Sequence, residues 1–239
     1  MDRVAIIRQL ARYPVKSMRG EPLPVTMLTL QGIPEDRRYA FVQAESRSHF
    51  PWLTARELPD LLRYTPAVAP AGAGNNAVMV TTPEGENWAV DSQELRQRIE
   101  ARAGRTLFLL RDYRGSYDVA PISLISRQTI ARIAQESETE ENPWRFRPNL
   151  LIDLRVGAAF EELNWVGRIL RVGEAARIAI TEVDERCMMI TLDPASAQAS
   201  PSVLRYVAQQ HERRAGVYAT VLTPGEIRSG DPIWLESTQ

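Results

Sequence analysis

Three residue types are nearly missing from this 239-residue chain. It carries one cysteine, Cys187, two histidines, His49 and His211, and one lysine, Lys16, among 29 Lys and Arg residues. A lone cysteine excludes an internal disulfide, a cysteine-rich zinc site and an iron–sulfur cluster held by the chain itself. The two histidines lie far apart and in no metal-ligand spacing. His211 sits beside Glu212, Arg213 and Arg214 at an expected exposed helix end, and His49 ends a short polar loop from Glu45. No nucleophile elbow of the serine-hydrolase kind is present. Long hydrophobic runs are also lacking. The longest uncharged stretch, Tyr64 to Pro83, is broken by Pro66, Pro70, Gly72 and Gly74, and the apolar run near the N-terminus, Val4 to Ile7, is too short for a signal-peptide core. A soluble protein without a membrane segment is expected, and the scarce cysteine fits the reducing cytoplasm. With a net charge of −1 there is no global field to draw nucleic acid or anionic lipid. An anionic ligand would have to be held by a local cluster of basic side chains.

What remains is globular in composition, 44% hydrophobic and 25% charged. Strand patterns dominate: Val25–Leu30, Arg38–Val42, Ala77–Thr81, Thr106–Leu110, Asn149–Ile152, Arg168–Val172, Arg177–Thr181 and Val217–Leu222. The stretch from Pro66 to Asn76 reads as loop. Helices are fewer. Asp91-Ser92-Gln93-Glu94 resembles a capping box ahead of Leu95 and Ile99, with Gly104 as the stop. Ser126 is placed to cap a helix carrying Ile130, Ile133 and Ala134, and Ser200-Pro201 has the order of a helix start. The fold class expected is β-rich α+β, with barrel-like domains and a few peripheral helices. The polar, turn-rich segment Arg111–Asp118 marks a boundary, giving domains 1–112 and 113–239.

Gly72-Ala73-Gly74-Asn75-Asn76-Ala77 matches the letters of a dinucleotide fingerprint, but a Pro-Ala loop precedes it and a strand pattern follows, so it is rejected. The acidic run Glu136–Glu141 reads as a solvated helix end. Three segments carry more. Cys187 opens an apolar run after Glu182, Asp184 and Glu185, which mark an exposed turn; it is either a small buried hydrophobe or, beside Arg186, a thiolate suited to a soft metal. In Arg145-Phe146-Arg147-Pro148-Asn149, two arginines alternate around an aromatic on an extended chain, and Pro148 keeps Arg147 out of helix. That group suits an anionic heteroaromatic ligand or is a solvated strand edge. Tyr13-Pro14-Val15-Lys16-Ser17-Met18-Arg19-Gly20 offers the lone lysine beside a hydroxyl, or is an ordinary loop.

Taken together, Tyr-Pro-Val-Lys-Ser, Phe-Arg-Pro-Asn and Arg-Cys-x-x-x-Thr-x-Asp-Pro, with the closing Gly230-Asp231-Pro232-Ile233-Trp234-Leu235, resemble the MOSC-domain proteins with an N-terminal MOSC β-barrel domain, the group that includes the mitochondrial amidoxime-reducing component and its bacterial relatives. The resemblance implies a molybdenum–molybdopterin cofactor, independent of pyridoxal phosphate, between the two domains. Cys187 would be the metal ligand. Lys16, Ser17 and Arg38 would contact the cofactor from the N-terminal domain, and Arg147 and Asn149 would bind its pterin or phosphate. Ser126 and Arg127 would lie nearby, and Arg186 and Thr191 come with the cysteine motif. The reaction implied is two-electron reduction of an N-oxygenated small molecule, with Asp193 or His49 as helpers in proton transfer. Some bacterial relatives carry a ferredoxin domain, whose cluster needs four cysteines. None is possible here with Cys187 alone, so electrons are expected from a separate ferredoxin- or flavoprotein-like partner. The alternative is a non-catalytic carrier of the cofactor or of persulfide sulfur.

Overall fold

The computed structural model describes residues 2–69 and 78–237. The chain opens with strands β1 (Asp2–Arg12), β2 (Glu21–Leu23) and β3 (Val25–Leu28). It continues through β4 (Tyr39–Gln43), β5 (Thr65–Val68), β6 (Val78–Thr81), β7 (Asn87–Ala89), helix α1 (Gln93–Ala103) and β8 (Leu107–Arg111). Beyond these come β9 (Ile122–Ser126), α2 (Arg127–Glu136), β10 (Leu150–Leu154), β11 (Ile169–Val172) and β12 (Ala176–Glu185). The last elements are α3 (Pro201–His211), β13 (Arg214–Thr223), β14 (Gly225–Arg228) and β15 (Pro232–Leu235).

Seven strands close into a barrel in the order β10-β9-β13-β12-β11-β15-β1, and β1 completes the ring by pairing with β10. Closure removes the free edges that an open sheet of this size would expose. The one parallel pair in the ring is β9–β10, which needs a crossover, and α2 supplies it. Inward-facing Ile7, Leu10, Leu124, Ile152, Ile178, Val217 and Ile233 fill the interior. Packing therefore crosses the expected 112/113 boundary: β1, β2 and β3 belong to the barrel side, β3 pairing with β14. The intervening chain builds a second body from the β4–β8 ladder and the β5-β6-β7 sheet. Its own core includes Phe41, Leu61, Tyr64, Val80 and Leu95.

Several local expectations are corrected. Thr65–Val68 is a strand, not loop; Pro66 is tolerated because β5 lies at the edge of its sheet. The rejected glycine-rich segment at 72–77 lies outside the described residues. Ser92, not Asp91, caps α1, its side chain accepting from the Leu95 amide, and Gly104 ends the helix in the left-handed conformation. Ser126 and Pro201 start α2 and α3 as expected. The strand expected at Val25–Leu30 stops at Leu28. Residues Glu182–Glu185 are not a turn but the end of β12, with Asp184 buried, and the apolar run after Cys187 is a short 3-10 helix, Met188–Thr191. Arg145–Arg147 is not extended: Pro143–Arg145 is 3-10 and Arg147 is left-handed, φ 55°. Pro148 bars the right-handed helix at Arg147, and the left-handed basin is the alternative taken.

Candidate active site

A cavity of about 620 Å³ opens between the barrel and the second body, within the size range of cofactor sites. The N-terminal part of the chain contributes Lys16, Ser17, Arg37, Phe50, Thr54 and Arg56 to its wall. The barrel side contributes the end of β12 with Cys187, the Arg145–Arg147 corner, Asp118 and Tyr218. Six cationic side chains line it against four carboxylates. That surplus is the local basic cluster a near-neutral protein needs to hold an anion.

Each cation is fixed differently. Arg186 is 7% exposed; its Nε donates to the Ala215 carbonyl at 2.6 Å, and its Nη1 donates to the Phe146 carbonyl at 3.0 Å and pairs with Asp184 at 2.9 Å. Its Nη2 is buried with no partner. Gly216, at φ 81°, makes room for that nitrogen: a Cβ there would sit 2.9 Å from it and 2.7 Å from the Leu124 carbonyl oxygen. Arg145 donates to the Thr191 carbonyl at 2.7 Å, and its Nε is also buried without a partner. Arg37 and Arg147 hold the Tyr13 ring between them, with guanidinium carbons 4.7 and 4.4 Å from its centroid. The Tyr13 hydroxyl donates to the Pro148 carbonyl, and its ring edge meets Trp144 over Gly20, where no Cβ would fit. Burial pushes the pKa of Arg147 down to about 10, and the guanidinium remains a cation at neutral pH. Lys16, 7% exposed, donates to the Ser116 carbonyl at 2.7 Å and to Asp118 at 2.6 Å, with the Phe50 and Trp52 rings each 5.3 Å away. Burial pulls its pKa below the ordinary lysine value, with Asp118 opposing.

Three wall residues, Ser17, Arg37 and Arg147, have positive φ of 66°, 51° and 55°. Non-glycine residues reach that region at a cost, and such strain concentrates at functional sites. Cys187 follows β12 directly, is exposed, and faces the same cavity. Asp184, buried beside it, accepts from Ser123 and Tyr218. Burial raises its carboxyl above the ordinary value in spite of Arg186.

Of the residues singled out in the sequence, Lys16, Ser17, Arg147, Arg186 and Cys187 come together in this wall. The others lie elsewhere. Arg38 lines a smaller pocket on another face, and it is the preceding Arg37 that reaches the cavity. Asn149 is buried behind the wall, accepting from the Ser123 amide and from Arg37 and donating to the Ala11 carbonyl, so it supports Arg37 rather than facing the cavity. Ser126 is the buried cap of α2, and Arg127 is exposed and pairs with Asp153. The Thr191 hydroxyl donates to the Met188 carbonyl. Asp193 Oδ1 accepts from the Ala195 and Ser196 amides and the Ser196 hydroxyl. These bonds outweigh partial burial and hold its carboxyl below the ordinary range, which removes it as a proton donor. His49 is not in the wall. Tyr13, Arg37 and Asp184 were given no site role from sequence, and Arg145 was picked out only with Arg147 as one of two alternating arginines. The Asp36-Arg37-Arg38 run held the clue to Arg37, but choosing between adjacent arginines needs the turn before β4, in which Arg37 is left-handed. Among the described residues no three His, Cys, Asp or Glu side chains gather as a metal site, so a metal here would rest on Cys187 and on ligands carried by its own cofactor.

A closed barrel facing a smaller β body across a cationic cleft, with a single thiol in its wall, defines a two-part β protein. The MOSC domain family matches residues 111–234 and the MOSC N-terminal beta barrel domain family matches residues 4–113; the chain belongs to the MOSC family. A protein named molybdenum cofactor sulfurase from Drosophila grimshawi is 27% identical over 274 aligned positions, covering 94% of this chain and 34% of the relative. One of the same name from Drosophila willistoni is 31% identical over 45% of this chain and 13% of its own length. The chain thus spans about a third or less of these relatives. The crystal structure of the YuaD protein from Bacillus subtilis shares the fold with a TM-score of 0.51 at 14% identity, covering 99% of this chain and 97% of that one. No helix among the described residues is long and apolar enough to cross a membrane.

Proposed function

We propose that the cavity holds a molybdenum–molybdopterin cofactor with the Cys187 thiolate as the protein's ligand to the metal, and that the chain is an oxidoreductase reducing N-oxygenated compounds. One observation carries the reading: an exposed thiol and two buried guanidiniums with unpartnered N–H groups, Arg186 Nη2 and Arg145 Nε, share one cavity. Buried donors without acceptors are costly, and an anionic ligand supplies the missing acceptors. A phosphate and a sulfur-rich metal centre match that donor set, the soft thiolate for the metal and the guanidiniums for the phosphate.

When bound, the cofactor supplies a two-electron redox couple able to accept oxygen. The protein's work is to bind and orient. Arg147, Arg37 and Lys16 neutralise the ligand's charge, and the Tyr13 clamp fixes two of those guanidiniums. Phe50, Met189 and Ile190 give an apolar side on which a substrate rests. The net reaction joins the substrate's hydroxylamine-type oxygen, two electrons and two protons into water and leaves the reduced nitrogen. Asp184 is the wall carboxylate whose burial raises its pKa above the ordinary value, and it takes the place of Asp193 as the helper in proton transfer. Electrons come from a separate ferredoxin- or flavoprotein-like donor. The relatives' name favours a second reading, a carrier of cofactor or sulfur on Cys187.

The test is metal analysis of protein made in cells that synthesise molybdopterin, followed by turnover of a benzamidoxime-type substrate with an artificial electron donor. About one molybdenum per chain and turnover, both lost in Cys187→Ser, uphold the reductase. Stoichiometric metal without turnover moves the reading to the cofactor carrier, and no metal in the folded protein ends the reductase and the cofactor carrier alike, leaving only sulfur carriage on Cys187.

A further inference from the structure

A second pocket, of about 250 Å³, lies at the end of the β4–β8 ladder and shares no wall residue with the main cavity. Its wall is Gln31, Glu35, Arg38, Arg111 and Tyr113. Two guanidiniums thus meet one carboxylate, and a charge of +1 is left over.

The strand geometry explains why these groups meet. Arg37, left-handed at φ 51°, ends the turn before β4 and lines the main cavity, while Arg38, between that turn and β4, lines this pocket. Backbone bonds from Asp112 to the Arg38 carbonyl and from Ser116 to the Arg37 carbonyl extend the ladder past β8. Arg111 stands opposite Tyr39 in that ladder. Its guanidinium carbon lies 5.5 Å from the Tyr39 ring centroid and 5.2 Å from that of Tyr113, so the rings occupy its faces and leave its N–H edge for an acceptor. Arg38 is 9% exposed, and its Nη1 is buried with no hydrogen-bond partner. A guanidinium nitrogen kept from both water and protein lacks an acceptor that a bound oxygen would provide.

We propose that this pocket binds a phosphate group. The paired guanidiniums, the Gln31 amide and the Tyr113 hydroxyl offer more donors than the two oxygens of a carboxylate use, and they suit the several oxygens of a phosphate. The volume, below that of a typical cofactor site, fits inorganic phosphate or the head of a small phosphomonoester. The site stands apart from the molybdenum reading and survives its failure.

Titration calorimetry at low ionic strength with inorganic phosphate, and separately with glycerol 3-phosphate, tests it. Saturable binding of either that weakens in Arg111→Gln and persists in Arg147→Gln upholds the proposal, binding unaffected by Arg111→Gln overturns it, and the tighter of the two shows whether free or esterified phosphate is the ligand. Arg111→Gln, at an exposed position, is expected to weaken binding by about tenfold or more, and Arg38→Gln likewise. Arg147→Gln, which removes a cation from the main cavity, is expected to leave it within about twofold. If Arg38→Gln fails to fold, Arg111→Gln carries the test alone. Absence of saturable binding in the wild-type chain overturns the proposal. So does binding that survives Arg111→Gln and disappears in Arg147→Gln.

Discussion

The two walls of the cavity are held by different means. On the barrel side, Arg186 is bonded to two backbone carbonyls and a buried carboxylate, and it leans on Gly216 of the neighbouring strand. On the other side, Lys16 reaches across to Asp118, whose side chain is 60% exposed. A closed ring of strands gives the barrel wall fixed positions, whereas the opposite wall is assembled from loops laid against it. The difference teaches where precision is built in: around the thiol and the buried guanidinium. The loop wall adds a buried ammonium whose carboxylate partner solvent can reach.

Arg186→Leu breaks this contrast most sharply. It leaves Asp184 buried and charged without its cation, and removing one member of a buried ion pair costs about 3–5 kcal/mol. For a chain of this length each kcal/mol lowers the melting temperature by about 2–4 °C, so thermal denaturation should show a fall on the order of 10 °C. Double replacement with Asp184→Leu should recover much of it, because then no lone charge is buried. A fall confined to a degree or two would mean that the barrel wall is no more rigid than the loops.

Gly216→Ala tests the same wall without removing a charge. The new Cβ meets a backbone oxygen at 2.7 Å, and the residue keeps a positive φ. The expected loss is about 2–4 kcal/mol, read from urea midpoints at an unchanged m-value. Lys16→Met, on the opposite wall, should cost no more than about 1 kcal/mol, since a half-solvated pair contributes little and burying a charged ammonium is itself unfavourable. If Lys16→Met proved as damaging as Arg186→Leu, the distinction between the walls would fail.

The same distinction governs what could be read from the amino-acid order. Elements with their own local code were legible. Ser126 and the Ser200-Pro201 pair start α2 and α3, Gly104 ends α1, and alternation marks β12 and β13. Features that depend on distant partners were not. That β1 closes the ring with β10 and β15 needs residues more than 100 positions away, and Pro66 hid β5 because only its place at a sheet edge makes proline acceptable there. The site divides likewise. Lys16, Cys187 and Arg147 stand in distinctive local words, so they were found. Arg37 was lost to Arg38 because a left-handed turn ahead of β4, which nothing in the Asp36-Arg37-Arg38 run announces, decides which of the two arginines reaches the cavity. Tyr13 was passed over as part of a loop, since its role exists only once two guanidiniums from remote segments close on its ring.

Acid titration gives the smallest and most even-handed comparison, because each body carries a carboxylate clip near its surface with a depressed pKa. In the barrel, Arg177 on β12 grips both oxygens of Glu236, just past β15, at 2.7 and 2.5 Å, and these hydrogen bonds hold the carboxyl below its ordinary 4.5. In the second body, partial burial would raise Glu57, but hydrogen bonds from Arg105, Gln43 and the Thr54 amide prevail and lower it. A carboxyl with a depressed native pKa binds fewer protons folded than unfolded. Its stabilisation is therefore full above the unfolded value and is lost as pH falls through the native one. Melting temperatures recorded from pH 6 down to pH 3 should drop less steeply in Glu236→Gln and in Glu57→Gln than in the unaltered chain, with little change at pH 7 because solvent reaches Arg177 and the Glu57–Arg105 pair. If only one variant flattens the acid limb, that clip alone sets the acid response, and the body carrying it is the one whose opening limits the fold at low pH. If the limb steepens in either variant, the depressed pKa assigned to that carboxyl is wrong.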